Sequence, residues 1–336
     1  MAMLSLVFEK SFKEPITSVE LADITGDGRD NLVVSTLNGD IVVFEYKEGK
    51  KHKFKEIAKA GGLPPIAAFS TGDVLGNGVP DFVAGCLDNN LRVIAYINGK
   101  LEIRGTTPVG TLPTALALAN VIDDASAEVL VATNDKALRC YGWYDVVLDK
   151  LAHKVVERPV FSMQPLRTMN LPYSRFVFGD DTGYLYLYQY ADDRLHEVSK
   201  IKVGGDVNLV ATGNITGSRY DEIVTISDGR KLNLLAFEQQ VLERIDAIKT
   251  PDTVTAIRMG CVLGDSSEGQ ILLSLADSTI ILLELDGNEL AEIAMLKTKP
   301  KSTESMIAFG DLNGNSEKEI VQAVGNDLSI VSLMQE

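Results

Sequence analysis

Seven times along the chain a polar residue, usually acidic or amide, leads through a short turn into an apolar run, at Asp23, Asp73, Asn120, Asn170, Asn214, Cys261 and Asp311. By subtraction these starts lie 50, 47, 50, 44, 47 and 50 residues apart, a mean of 48, and seven units of 48 account for all 336 residues. A period of this length marks an array of supersecondary units that bury their apolar faces against one another. A chain this long would ordinarily divide into two or more compact domains. A closed ring of repeats stays one domain because the core is shared out between neighbouring units.

Inside each unit the pattern is β. In the first, Ile16 to Ala22 alternates, the turn Asp23 to Asp30 follows, and Leu32 to Ser35 is an apolar β-branched run. Ile41 to Tyr46 and the more polar Phe54 to Ala58 complete it. Asn38-Gly39 between two apolar runs predicts a type I′ hairpin turn, which needs positive φ at both positions. Turn residues recur at that place, as in Asp88-Asn89, Asn134-Asp135, Asp181 to Gly183, Asp228-Gly229, Asp277-Ser278 and Gly325-Asn326.

Four antiparallel strands per unit, repeated radially, predict an all-β, seven-bladed β-propeller. The expected blades span residues 15–60, 65–107, 113–156, 158–203, 205–248, 253–296 and 303–336, the last joined by 3–12. The seventh unit ends after its third strand, and Leu4 to Phe12 resembles the fourth strands elsewhere. An N-terminal strand is therefore expected to complete the last blade, closing the ring and removing an open sheet edge.

The net charge of −15 argues against broad contact with nucleic acid or anionic lipid. Lys47, Lys50, Lys51, Lys53, Lys55 and Lys59 form a local basic run, read as a solvated strand edge. No apolar stretch approaches the roughly 20 residues of a membrane span, and the first ten residues lack the basic lead and small-residue site of a secretion signal. Cys86, Cys140 and Cys261, odd in number and set in or beside apolar strands, suit packed thiols in a reducing compartment such as the cytoplasm.

The string Asp23-Ile-Thr-Gly26-Asp27-Gly28-Arg-Asp30-Asn31-Leu-Val-Val is echoed by Gly72-Asp73-Val-Leu-Gly76-Asn77-Gly78 and Gly310-Asp311-Leu-Asn313-Gly314-Asn315. It resembles the FG-GAP repeats of integrin alpha-subunit propellers and related proteins. That resemblance implies a propeller, in some members with calcium in the turns, held by side chains at positions 1, 3 and 5, a carbonyl near 7 and a carboxylate at 9. Oxygen ligands of this kind suit calcium. The best match here is Asp311, Asn313, Asn315, Glu317 and Glu319, with Glu317 at the carbonyl position. The first repeat ends in Asn31, the second has Leu75 at a ligand position, and the sixth begins with Cys261. The competing reading has the acid cap backbone amides of its own turn while Gly supplies positive φ.

No catalytic constellation or cofactor motif emerges. His52, His153 and His196 fall on or beside the outer strands of three blades, far from the geometry of a triad or metal site. Adjacent acids, Asp123-Asp124 and Asp180-Asp181, read as turn formers. The single tryptophan, Trp143, stands with Tyr141 and Tyr144 at the end of a strand and is a candidate partner contact. Tyr184, Tyr186, Tyr188 and Tyr190 alternate at period two and read as packing between blades. The expected function is a non-catalytic scaffold that presents loops to protein partners, within a larger complex in the manner of cytoplasmic FG-GAP relatives. The alternative is a carbohydrate-binding module or polysaccharide lyase of the FG-GAP type with calcium-supported loops.

Overall fold

The computed structural model describes residues 3–47, 53–168, 171–218, 220–263, 268–298 and 305–334. They form twenty-eight strands in seven four-stranded antiparallel sheets. Six sheets run in chain order, the first being Ile16–Ala22, Asn31–Thr36, Ile41–Lys47 and Lys53–Ala60. The seventh takes its outer strand from the other end of the chain. Met3–Ser11 pairs with Asp327–Met334, which is followed inward by Glu319–Val324 and Ser305–Gly310. The ring closes as the sequence predicts, and Leu4, Val7 and Phe8 join the packed interior at that seam.

Burial grades outward along each blade. Every residue of the second strands, such as Asn31–Thr36, Phe82-bearing Asp81–Cys86 and Gln270–Leu275, is buried, because those strands lie between blades on both faces. The fourth strands alternate exposed and covered residues, as in Val147–Val155 and Val241–Lys249. A β-bulge recurs where third and fourth strands pair, at Val43/Phe44, Val93/Ile94, Cys140/Tyr141, Leu187/Tyr188, Leu234/Leu235 and Leu282/Leu283. The same device appears at Leu6/Phe8 in the closing strand. Bulges increase local twist, and one in each blade at the same radius twists the outer strand relative to the inner three.

The hairpin between second and third strands departs from the I′ expectation at Asn38-Gly39. Only Gly39 has positive φ, at +82°. The Gly39 N–H donates to the Thr36 carbonyl at 2.9 Å, so Leu37 and Asn38 form a type I turn and Gly39 is the left-handed residue that follows it. A Cβ on Gly39 would collide with the Leu63 carbonyl. Asn89, Lys136, Gly183 and Ser278 take the same left-handed place in four further blades. The I′ form occurs in blade five, where Asp228 and Gly229 both have positive φ.

The repeat also has a different phase in blade four. Backbone bonds link five of the turns to the preceding blade, among them Ala127 N–H to Asp73 O, Ser174 to Asn120, Gly269 to Asn214, and across the closure Asp30 to Asp311. In blade five the equivalent donor, Asp221, reaches Arg167. The fourth unit therefore starts at Arg167, not at Asn170, which lies outside the described residues. Counted from Arg167 the intervals become 50, 47, 47, 47, 47 and 50. An arginine in place of the usual acid or amide hid this start from sequence reasoning.

Candidate functional site

In blades one, two and seven the opening turn is closed by two side chains. The first is the starting acid. Asp23 accepts the N–H groups of Gly26 and Gly28, each at 2.7 Å, and Asp73 accepts Asn77 and Gly78 at 2.9 and 2.7 Å. Asp311 accepts Gly314 at 2.6 Å and Ser316 at 2.8 Å. The second is the buried residue that begins the second strand and reaches back to the amides just after the start. Asp81 accepts Val74 and Leu75, Glu128 accepts Val121 and Ile122, and Glu222 accepts Ile215 and Thr216. Asn31 accepts Ile24, Gln270 accepts Val262 and Leu263, and Glu319 accepts Leu312. Neutral amides do this work in blades one and six, so in these six blades the position needs an acceptor and not a charge.

That pattern bears directly on the turn Asp311 to Glu319. Both Asp311 oxygens and one Glu319 oxygen are bonded to backbone amides, and the Asn313 amide nitrogen donates to the other Glu319 oxygen. Asn313 and Asn315 in turn accept the N–H groups of Asn315 and Glu317, at 3.0 and 2.9 Å. The five residues are brought together, but as a network of amide caps. Each of these oxygens accepts an N–H of the turn itself, which is the capping role. Among the described residues no three His, Cys, Asp or Glu side chains gather as a metal group.

Burial has an electrostatic consequence at these clamps. Desolvation pushes the Asp81 carboxyl up to about 6 and those of Glu128 and Glu319 up to about 7, against the lowering effect of the amide bonds they accept. Glu128 Oε1 is buried without a partner. In blade four the place is Arg175, buried, bonded to Gln189 Oε1 at 3.1 Å and Thr168 Oγ1 at 3.4 Å, with its guanidinium 5.1 Å from the Phe237 ring.

The aromatic candidates separate. Tyr141 is 4% exposed and lies in the core between blades two and three. Trp143 is half-buried in the same seam, its ring lying on the backbone of Gly105, where an added Cβ would sit 2.8 Å from it. Tyr144 is 47% exposed. Trp143 is one member of a repeated set: Tyr46, Tyr96, Trp143, Tyr190 and Phe237 stand 23 residues after the starts of blades one to five. Each plugs the outer part of the seam with the preceding blade, Tyr96 in the core beside Ile57 and Phe237 in the core beside Val203. In blade six, one residue further from the start but at the same register two residues past the bulge, the plug is Leu285. The tyrosine stripe behaves likewise: Tyr188 is buried, Tyr186 stacks on Phe178 at 5.1 Å, and Tyr190 packs on blade three. Lys200 covers the rings of Tyr184 and Tyr186, 5.8 Å from each.

Overlaying these features, the architecture is similar to solved propellers. Two structures described as BBS1N in complex with ARL6DN, one soaked with mercury and the other with lead, match it with TM-scores of 0.73 and 0.72. Each match has 12% sequence identity and covers 99% of this chain, and 98% and 97% of the other. At that identity the likeness shows the fold: a seven-bladed β-propeller. No family model matches the sequence, and no curated protein matches it.

Other groups are dispersed. His153 and His196 are exposed on the outer strands of blades three and four; His52, Lys50 and Lys51 lie outside the described residues. Lys47 and Lys59 are paired with Glu45 and Asp40, at 2.6 and 2.7 Å. The axial channel, lined by first strands, carries the ion pair of Arg258 with Glu20 at 3.2 Å. Desolvation there raises the Glu20 carboxyl despite the guanidinium beside it. Cys86 and Cys140 are buried, and none of the three cysteines is in a disulfide.

Proposed function

We propose that the chain is a non-catalytic interaction propeller that recruits protein partners within a larger complex. The observation that carries this reading is the outer hairpin tip of blade three. There Tyr144, Val146 and Val147 are 47%, 66% and 38% exposed. The turn itself is Asp145-Val146; the corresponding pairs in four other blades carry no apolar side chain: Asn98-Gly99, Asp192-Asp193, Gln239-Gln240 and Gly287-Asn288. An apolar tip on a rigid scaffold costs solubility and gains contact area, the usual mark of a binding surface. Trp143 beneath it fixes the hairpin, and Tyr144 is the aromatic group a partner would meet. The propeller in the similar solved structures is itself bound to a protein, ARL6DN, which supports the reading by analogy of fold alone. Buried thiols at Cys86 and Cys140 suit a reducing compartment such as the cytoplasm.

Affinity capture from the native organism, read by quantitative mass spectrometry, tests the reading with Val146→Asp as the comparison. Partner proteins should be recovered with the parent chain and fall at least tenfold with Val146→Asp, at unchanged melting temperature. Recovery of the parent chain with a bound oligosaccharide and no protein would overturn it in favour of the carbohydrate reading.

A further inference from the structure

The seam between blades five and six contains a groove of about 620 Å³. Its floor is Ala236, Ile245 and Leu285, and its rim carries Glu238, Glu243 and Asp286. Strand pairing explains the composition. Ala236 pairs with Glu243, and Glu238 with Val241, so Ala236, Glu238 and Glu243 share the face that looks toward blade six. One cation, Arg244, also borders the groove; its strand register turns it toward blade four, and its guanidinium donates to the Val203 carbonyl at 3.2 Å. Glu238, Glu243 and Asp286 have no ion-pair partner among the described residues.

One repeat position, two residues beyond the bulge of each third strand, lies in this groove: blades one to five place a Tyr, Trp or Phe there, blade six places Leu285 and blade seven Leu333. Leucine covers less of the seam than an aromatic ring, and Ala236 opposite it does nothing to fill the difference. The vacated volume has an apolar floor and three unpaired carboxylates around it. An incoming group that matches both features carries an apolar, ring-sized side chain between cations.

We infer that this groove docks an extended basic segment of a partner protein, one aromatic side chain seated over Leu285 and flanking Lys or Arg side chains facing Glu238, Glu243 and Asp286. The inference rests on the interaction reading above and deepens it by giving the chemistry of one partner. Charge complementarity supplies the orientation and the salt dependence. The buried ring supplies the anchor, as aromatic residues do at the centre of interfaces.

The probe is a fluorescein-labelled peptide, Lys-Lys-Phe-Lys-Lys flanked by Gly-Ser, compared with the same peptide carrying Gly in place of Phe, by fluorescence anisotropy on the full chain. The Phe peptide should bind at least tenfold more tightly than the Gly peptide. Leu285→Tyr, which restores the plug of the other blades, should weaken it at least tenfold without lowering the melting temperature. Glu238→Lys with Glu243→Lys should do the same. Glu9→Lys with Glu56→Lys, the same charge change on outer strands of blades seven and one, should alter it less than twofold. Equal binding of the two peptides, an undiminished affinity in Leu285→Tyr, or equal loss in the two charge variants would overturn the groove. Partner capture that survives such a result leaves the interaction reading standing, and peptide binding without any captured protein removes that reading instead.

Discussion

The seams ahead of blades three and six use one repeat position in opposite ways. At the first, Trp143 lies against Gly105, whose missing side chain makes room for the indole, and the seam is filled to the outer strand. At the second, Leu285 faces Ala236 and Ile245 and leaves an acidic-rimmed groove. The repeat thus fixes where a plug must sit, while the plug's size decides whether the seam is solid or receptive. Packing density explains the sensitivity, since a void with no atoms on one side loses dispersion contacts outright.

The largest effect should come from removing a seam altogether. Deleting residues 3–12 takes away the strand that pairs with Asp327–Met334 and the packing of Leu4 and Phe8. The midpoint of thermal unfolding should fall by more than about 10 °C, given several kcal/mol of lost burial at roughly 2 °C per kcal/mol for a chain of this size. Within the closed ring, Trp143→Ala should cost about 2 to 4 kcal/mol and Leu285→Ala about 1 to 2 kcal/mol by urea unfolding, because the filled seam has more to lose. A reversed order would sink the comparison of plugs.

A smaller effect should appear at the clamps that hold the turns. The Glu128 carboxyl, raised to about 7, binds its proton more tightly in the fold than in the unfolded chain. Its contribution is fully present below the ordinary carboxylate range and is lost as pH rises through about 7. Stability should therefore fall between pH 5 and pH 8. Glu128→Gln, the amide version already used at Gln270, should remove part of that slope and stabilise the protein at pH 8 by about 1 to 2 kcal/mol. A slope unchanged in Glu128→Gln would show that the clamp is not the titrating group. The smallest expected response is to calcium. Because the Asp311 turn spends its oxygens on amides, a millimolar titration followed by calorimetry should give no heat and no change in Tm; saturable heat abolished by Asp311→Ala would reverse that reading.

Much of the ring was legible in the amino-acid order, and the reasons are local. Turn residues recur at a fixed place, second-strand runs such as Leu32 to Ser35 are apolar throughout, and a missing fourth strand at one end is matched by a spare strand at the other. The hairpin at Asn38-Gly39 was legible as a turn but not as its type, since a following left-handed residue and an I′ pair draw on the same amino acids. Of the clamp residues, Glu319 was visible as a candidate ligand, while Asp81, Glu128, Glu222 and Gln270 gave no signal that singled them out. A carboxylate that accepts two amides and one that binds a cation have the same spacing, and only the partners across the turn separate them.

What the amino-acid order determined alone was the period, the four strands of each unit and the use of the N-terminus to finish the ring, because each follows from apolar alternation and turn chemistry within a few residues. What only the tertiary structure decided was the phase of the fourth unit, the role of the buried acceptors and the uneven filling of the seams. The first and last depend on contacts between blades: Asp221 bonding to Arg167, and Leu285 standing where blades one to five place a ring. Such contacts join residues far apart in the chain, and their energy appears only once the ring has brought them together. The second is local in sequence, Glu128 reaching back seven residues to Val121, but only the folded turn shows that its carboxylate meets amides and not a cation.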